Sequence, residues 1–171
     1  MGFTWVIIAC LVPRIGAVES PVLRPVMGWS TWTTFKCDIN ETLVHESIEA
    51  LASSPLSKVG YEYVLIDDCW TMCLDESGHS QGHKCKQAGP RGADGRIQIS
   101  PTKFPHGFKN LTAFAHSKGL KIGIYTSVSS VTCGGYTGSL GHEAIDAKAF
   151  VEWGFDFVKH DTCGTDYTVH D

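Results

Sequence analysis

The sequence predicts an α/β fold: a parallel sheet wound as the first four βα units of a (β/α)8 barrel. Three observations carry this. Apolar strand-like runs alternate with helical stripes in the order β-α-β-α-β-α-β, which joins parallel strands through right-handed crossovers. No hairpin dipeptide joins one strand directly to the next. Neither G-x-G-x-x-G nor G-x-x-x-x-G-K-S/T is present, so a doubly wound nucleotide-binding sheet lacks its signature.

Each element has its own local reason. Pro25-Val26-Met27-Gly28-Trp29 is a short apolar strand. Asp38-Ile39-Asn40-Glu41 has capping-box spacing, and Leu43, Val44, Ile48, Leu51 and Ala52 follow on one helical face. Gly60 breaks the chain before Tyr63-Val64-Leu65-Ile66-Asp67-Asp68, an apolar run of the kind covered on both faces. Thr71 to Pro105 is polar and rich in Gly, Asp, Ser and Gln, and reads as loop. Phe108, Leu111, Phe114 and Ala115 form the next helical stripe, stopped by Gly119. Leu120 to Tyr125 is the third strand. Glu143 to Trp153 is the third helix, with Ile145, Ala149 and Phe150 inward and Gly154 as its stop. Phe155 to Asp161 is the fourth strand.

Composition narrows the class. The chain has 171 residues, 43% hydrophobic and 19% charged, enough for a sizeable core and too apolar for a disordered chain. Net charge is −4 with no Lys/Arg cluster, so nucleic acid is not an expected partner. No apolar run reaches the roughly 18 residues of a membrane span. Phe3 to Val12 is apolar apart from Thr4, and the small residues Gly16 and Ala17 follow. Residues 1–17 therefore read as a secretory signal peptide. Cys10 would leave with it, and Cys37, Cys69, Cys73, Cys85, Cys133 and Cys163 would remain. An even set in an exported chain points to disulfides, whose pairing the sequence leaves open. Asn40-Glu41-Thr42 and Asn110-Leu111-Thr112 are glycosylation acceptors. Together these place the protein in the secretory pathway, extracellular or lysosomal/vacuolar.

In parallel α/β folds chemistry collects at the carboxyl ends of strands. Those ends here are Trp29-Ser30-Thr31-Trp32, Asp67-Asp68-Cys69-Trp70, Tyr125, and Lys159-His160-Asp161-Thr162-Cys163. Aromatic platforms beside carboxylates suit a sugar, whose C–H face packs on the ring while its hydroxyls donate to the carboxylates. Lys159 and Asp161 share a face by strand alternation. A neighbouring ammonium keeps a carboxylate ionised. Asp161 is then a nucleophile or an electrostatic stabiliser, or one half of a structural ion pair. Asp67 and Asp68 face opposite ways and make a poor acid/base pair. Binding hydroxyls, or capping the next turn, is their reading.

Taken together, these segments resemble the melibiase-type α-galactosidases and α-N-acetylgalactosaminidases of glycoside hydrolase family 27. The resemblance is carried by Met27-Gly28-Trp29-Ser30-Thr31-Trp32, Gly60-Tyr61-Glu62-Tyr63, Ile66-Asp67-Asp68-Cys69-Trp70 and Phe104-Pro105-His106-Gly107. It continues through His116 to Tyr125, Thr132-Cys133, Gly138 to Glu143, Asp146-Ala147, Trp153-Gly154 and Lys159-His160-Asp161-Thr162-Cys163. It implies a retaining exo-glycosidase on a parallel (β/α)8 TIM barrel, acting on terminal α-linked galactose without metal or organic cofactor. It implies Asp161 as the catalytic nucleophile, with Trp32, Asp67, Asp68, Tyr125 and Lys159 lining the galactose subsite. It implies disulfides Cys37–Cys69 and Cys133–Cys163, leaving Cys73–Cys85 within the long connection. Two departures stand out. His160 occupies a usually aromatic position and is expected to point away from the pocket. Ser127-Val128-Ser129-Ser130 replaces an Asp-containing Gly-rich turn.

A barrel of this kind needs eight strands over about 250 residues. Residues 18–171 are therefore expected to be the N-terminal half of the catalytic barrel, a truncated piece inactive alone. The acid/base carboxylate, and the loop that selects galactose or N-acetylgalactosamine, lie downstream in the family. The full-length form would take an α-galactoside as its partner, and a homodimer is its candidate assembly. The alternatives are an α-N-acetylgalactosaminidase and a secreted, non-catalytic carbohydrate-binding half-barrel.

Overall fold

A computed structural model describes residues 25–75 and 85–164; the expected signal segment lies outside the described residues. Four strands form one sheet in chain order: β1 (Gly28–Ser30), β2 (Tyr63–Ile66), β3 (Lys121–Ser127) and β4 (Phe157–Asp161). Every neighbouring pair is parallel, with Ser30 opposite Leu65, Leu65 opposite Gly123 and Gly123 opposite Phe157. Between them run α1 (Thr31–Phe35), α2 (Glu41–Ser53), a 3-10 turn (Pro55–Val59), α3 (Lys109–Ser117) and α4 (Glu143–Trp153). This is the alternating parallel architecture that the sequence order implies, over four strands and three helical crossovers.

Register divides the sheet into two faces. Val64, Ile66, Ile122 and Ile124 point to the helices and are fully buried with Val44, Ile48, Leu111, Ala115 and Phe150. On the other face Leu65, Gly123 and Phe157 lie side by side, with Tyr63 two residues before Leu65 on the same face. The Phe157 ring meets Tyr63 edge-on at 5.3 Å. It can do so because Gly123 is bare: a Cβ there would sit 2.2 Å from the Phe157 ring. The same face continues upward through Tyr125, Lys159 and Asp161, so alternation delivers the polar groups to one rim.

Three local expectations change. The cap of α2 is Asn40, not Asp38: Asn40 Oδ1 accepts from Leu43 N–H at 2.9 Å. Glu41 becomes the first helical residue, and its carboxylate turns to His106, accepting from the His106 backbone N–H at 3.2 Å. In α4, Ala149 and Phe150 are buried, but Ile145 is exposed. The inward position goes to Asp146, 1% exposed, because Arg91 waits there. Trp70 is also a core residue rather than a rim platform. Its ring packs on Phe108, Phe150 and Trp153, and its Nε1–H donates to the Tyr125 carbonyl at 2.8 Å. A motif residue next to the carboxylates thus anchors the end of β3.

The connection after β2 has no helix or strand element among its described residues, in line with its polar composition. It is pinned by the isolated bridges Thr71 to Ile99 and Cys73 to Ala88. Arg91 fixes its middle. The guanidinium holds both Asp146 oxygens, at 2.7 and 2.9 Å, and donates to the carbonyls of Gly95 and Gly138.

Candidate active site

The carboxyl ends of β1, β2, β3 and β4 meet at one rim. At the end of β1, Ser30 caps α1 by accepting from Trp32 N–H and donates its own hydroxyl to Asp67 Oδ2 at 3.2 Å. That tight strand-to-helix step leaves the Trp32 indole 36% exposed. Just past β2, Asp67 is 2% exposed. Its backbone N–H donates to Thr31 Oγ1, and Lys159 Nζ donates to its Oδ2 at 2.9 Å.

Lys159 therefore pairs with Asp67 and not with Asp161, although alternation places Lys159 and Asp161 on one face. The ammonium leaves β4, passes over the Tyr125 ring at 5.0 Å from its centre, and ends at Asp67. Asp161 is served differently. Its Oδ2 accepts from the Tyr125 hydroxyl at 3.2 Å and its Oδ1 from Thr162 N–H at 2.8 Å. Burial first, then the charges of Asp68 and Asp161, hold the Tyr125 phenol well above its usual range. It therefore stays protonated as a donor to Asp161. His160 is exposed on the opposite face of β4.

Asp68 is also 2% exposed, and its carboxylate accepts from three protein donors. Oδ1 accepts from Thr132 Oγ1 at 2.7 Å and Cys69 N–H at 2.7 Å; Oδ2 accepts from Gly134 N–H at 2.6 Å. It organises the loop that carries Cys133. Burial pushes its pKa above the ordinary value, more strongly than the three donors pull it down. The folded state thus keeps the proton to a higher pH than the unfolded chain does. Stability is gained as pH falls through the folded pKa and is complete below the unfolded value, about 3.9. We expect Asp68→Asn, whose amide cannot accept from Gly134 and Thr132 together, to melt lower than wild type. Its deficit should widen as pH falls from 7 toward 4. A deficit that is flat or shrinks on acidification in thermal melts would contradict this.

Three disulfides tie the rim: Cys37–Cys69, Cys73–Cys85 and Cys133–Cys163. The first joins the α1–α2 turn to the end of β2, and the last joins the β3–α4 loop to the end of β4. Two groups, Cys73/Asp75/Cys85 and Cys133/Asp161/Cys163, bring ligand-type atoms within 4.8 Å of one another. In both the sulfurs are already spent in a disulfide and offer no thiolate to a metal.

The sequence did not announce Gly134, Arg91 or Lys103, and Thr132 stood there only in the Thr132-Cys133 match, without a role. Thr132 and Arg91 act on partners 64 and 55 residues away. The buried carboxylates they serve, Asp68 and Asp146, were visible as motif residues, but the pairings were not.

Four parallel strands joined by three helical crossovers, with carboxylates, an ammonium and a phenol gathered at the carboxyl rim, define a section of a (β/α) barrel. The family is specific: residues 24–170 match the alpha-galactosidase A family of melibiases, and the chain belongs to it. It is 42% identical over 160 residues to a probable alpha-galactosidase A of Aspergillus fumigatus, covering 92% of this chain and 27% of that protein. It is 43% identical over 142 residues to alpha-galactosidase 2 of Arabidopsis thaliana, covering 82% of this chain and 32% of the relative. The crystal structure of alpha-galactosidase I from Mortierella vinacea superposes with a TM-score of 0.74 at 40% identity, over 86% of this chain and 33% of that one. The chain thus spans about a third or less of the relatives it matches. Among the described residues, no helix is long and apolar enough to cross a membrane.

Proposed function

We propose that this chain supplies the galactose-binding rim and the nucleophile of a retaining α-galactosidase. The observation that supports this is the convergence of Asp161, Tyr125, Lys159 and Asp67 on one sheet face of a chain in this family. Residues 18–171 then form the N-terminal half of a catalytic barrel. Asp161 attacks the anomeric carbon as the bond to the leaving oxygen breaks. A second carboxyl, implied by the family resemblance on a later rim loop, would give that oxygen its proton and then activate water. The Tyr125 hydroxyl orients the Asp161 carboxylate, leaving its other lone pairs for the attack. Asp67, held by Lys159 and Ser30, and Asp68 receive the sugar hydroxyls, and the exposed Trp32 ring takes an apolar sugar face.

The Saccharomyces cerevisiae relative, 32% identical, has been solved with raffinose, and we carry the oligosaccharide class over as substrate. Export through the secretory pathway follows from the three disulfides. Asn40 and Asn110 are both exposed and are the proposed glycosylation sites. The test is covalent trapping. The longest natural product containing these residues is incubated with a fluorinated galactosyl fluoride and digested for mass spectrometry. The adduct is expected on Asp161; an adduct on any other carboxylate would overturn the assignment.

A further inference from the structure

We propose that Lys103 is a positioning residue that sets the galactose-binding rim by holding Cys69 in a left-handed backbone conformation. This rests on the α-galactosidase reading above.

Cys69 has φ 78°, a region that residues with a Cβ rarely occupy and that costs free energy unless the surroundings enforce it. Its backbone N–H donates to Asp68 Oδ1 at 2.7 Å, and Asp68 N–H donates to Asp67 Oδ1 at 2.9 Å. The orientation of both carboxylates is therefore tied to the turn at Cys69. The Cys37–Cys69 disulfide tethers that turn through its side chain and leaves the peptide plane free to rotate.

The Lys103 ammonium fixes the plane. Nζ donates to the Cys69 carbonyl at 2.8 Å, to the Cys37 carbonyl at 3.1 Å and to the Tyr136 hydroxyl at 3.2 Å. Three acceptors match the three N–H bonds of a lysine. A charged donor holds carbonyls more strongly than a neutral one. Nζ also lies 5.2 Å from the centre of the Tyr136 ring, itself 1% exposed. The lysine backbone is anchored too, since its carbonyl accepts from Glu41 N–H at 2.8 Å, at the start of α2. Lys103 thus links α2, the α1–α2 turn and the end of β2. Without it the Cys69 carbonyl loses its charged donor, the turn relaxes toward an extended conformation, and Asp68 and Asp67 leave their aligned positions.

The experiment is steady-state kinetics on a nitrophenyl α-galactoside, with inhibition by free galactose, using the longest natural product containing these residues. Wild type is first required to turn over and to take the fluorosugar label on Asp161. Failure there defeats the functional reading and not the role of Lys103. In Lys103→Met, KM and the galactose inhibition constant are expected to rise about tenfold, the cost of misplaced charged hydrogen bonds. The kcat and the fraction labelled at Asp161 should be unchanged. Lys103→Arg, which keeps charge and donors, should bring KM most of the way back. A merely structural lysine would lower the labelled fraction and leave KM alone, and that result overturns the proposal. Should Lys103→Met not accumulate as folded protein, Lys103→Gln carries the test. It keeps neutral donors, so an intermediate KM supports the proposal and a wild-type KM refutes it.

Discussion

Replacing Asp161 by glycine is expected to lower kcat on an α-galactoside by about 10⁴-fold, the scale of losing a residue that forms the covalent intermediate. The variant should still fold. Asp161 is the last residue of β4 and half-buried, and its carboxylate accepts from the Tyr125 hydroxyl and the Thr162 N–H and lies 4.0 Å from Cys133 Sγ. Its backbone carbonyl, which accepts from Val128 N–H at 2.9 Å, survives the change. Galactose binding should persist, because Asp67, Lys159 and Trp32 remain. Azide supplies the check: a small anion occupying the space of the lost carboxylate should restore turnover and release galactosyl azide of inverted configuration. Activity that survives in Asp161→Gly without azide would move the nucleophile elsewhere.

The second large effect lies far from the rim. Arg91→Met should destabilise the fold by about 3–5 kcal/mol, because it leaves a buried carboxylate unpaired. Asp146 is 1% exposed in its side chain, Arg91 15%, so solvent cannot take over. The carbonyls of Gly95 and Gly138 lose their donors as well. Arg91→Lys should recover only part of this, because a single ammonium cannot make the parallel pair of bonds. The double variant Arg91→Met, Asp146→Leu should be more stable than Arg91→Met alone, since no charge is then stranded. Urea unfolding measures all three. A cost below about 1 kcal/mol for Arg91→Met would reduce the pair to a surface-like contact.

These two sites mark what a sequence does and does not reveal. Periodicity reports faces, so the parallel sheet, the apolar helix stripes and the shared side of Lys159 and Asp161 were all legible. It does not report reach. Lysine is long enough to leave its own strand, and Lys159 crosses β3 to a partner 92 residues earlier. Nothing in the β4 pattern distinguishes that from a pair with Asp161. Similar residues at similar spacing also compete. Asp38 and Asn40 both precede α2, and only the backbone at Asn40, extended at φ −150°, puts its oxygen on Leu43 N–H. Ile145 has the apolar character of an inward position and is displaced by Asp146, because Arg91 makes a carboxylate the better occupant. Lys103 was hidden because two of its three acceptors are backbone carbonyls, which leave no trace in side-chain patterns.

The span of the Lys159–Asp67 contact has a consequence in time. Strands one to three are synthesised before the cation that neutralises Asp67 exists. At about 5–20 residues per second, the 92 residues separating the two take roughly 5–20 s to synthesise. For that interval a nascent sheet carries Asp67 and Asp68 side by side with no ammonium among them, and the Tyr125 hydroxyl waits for Asp161. The chemical rim is therefore the last part of this region whose residues are completed during synthesis, when β4 arrives.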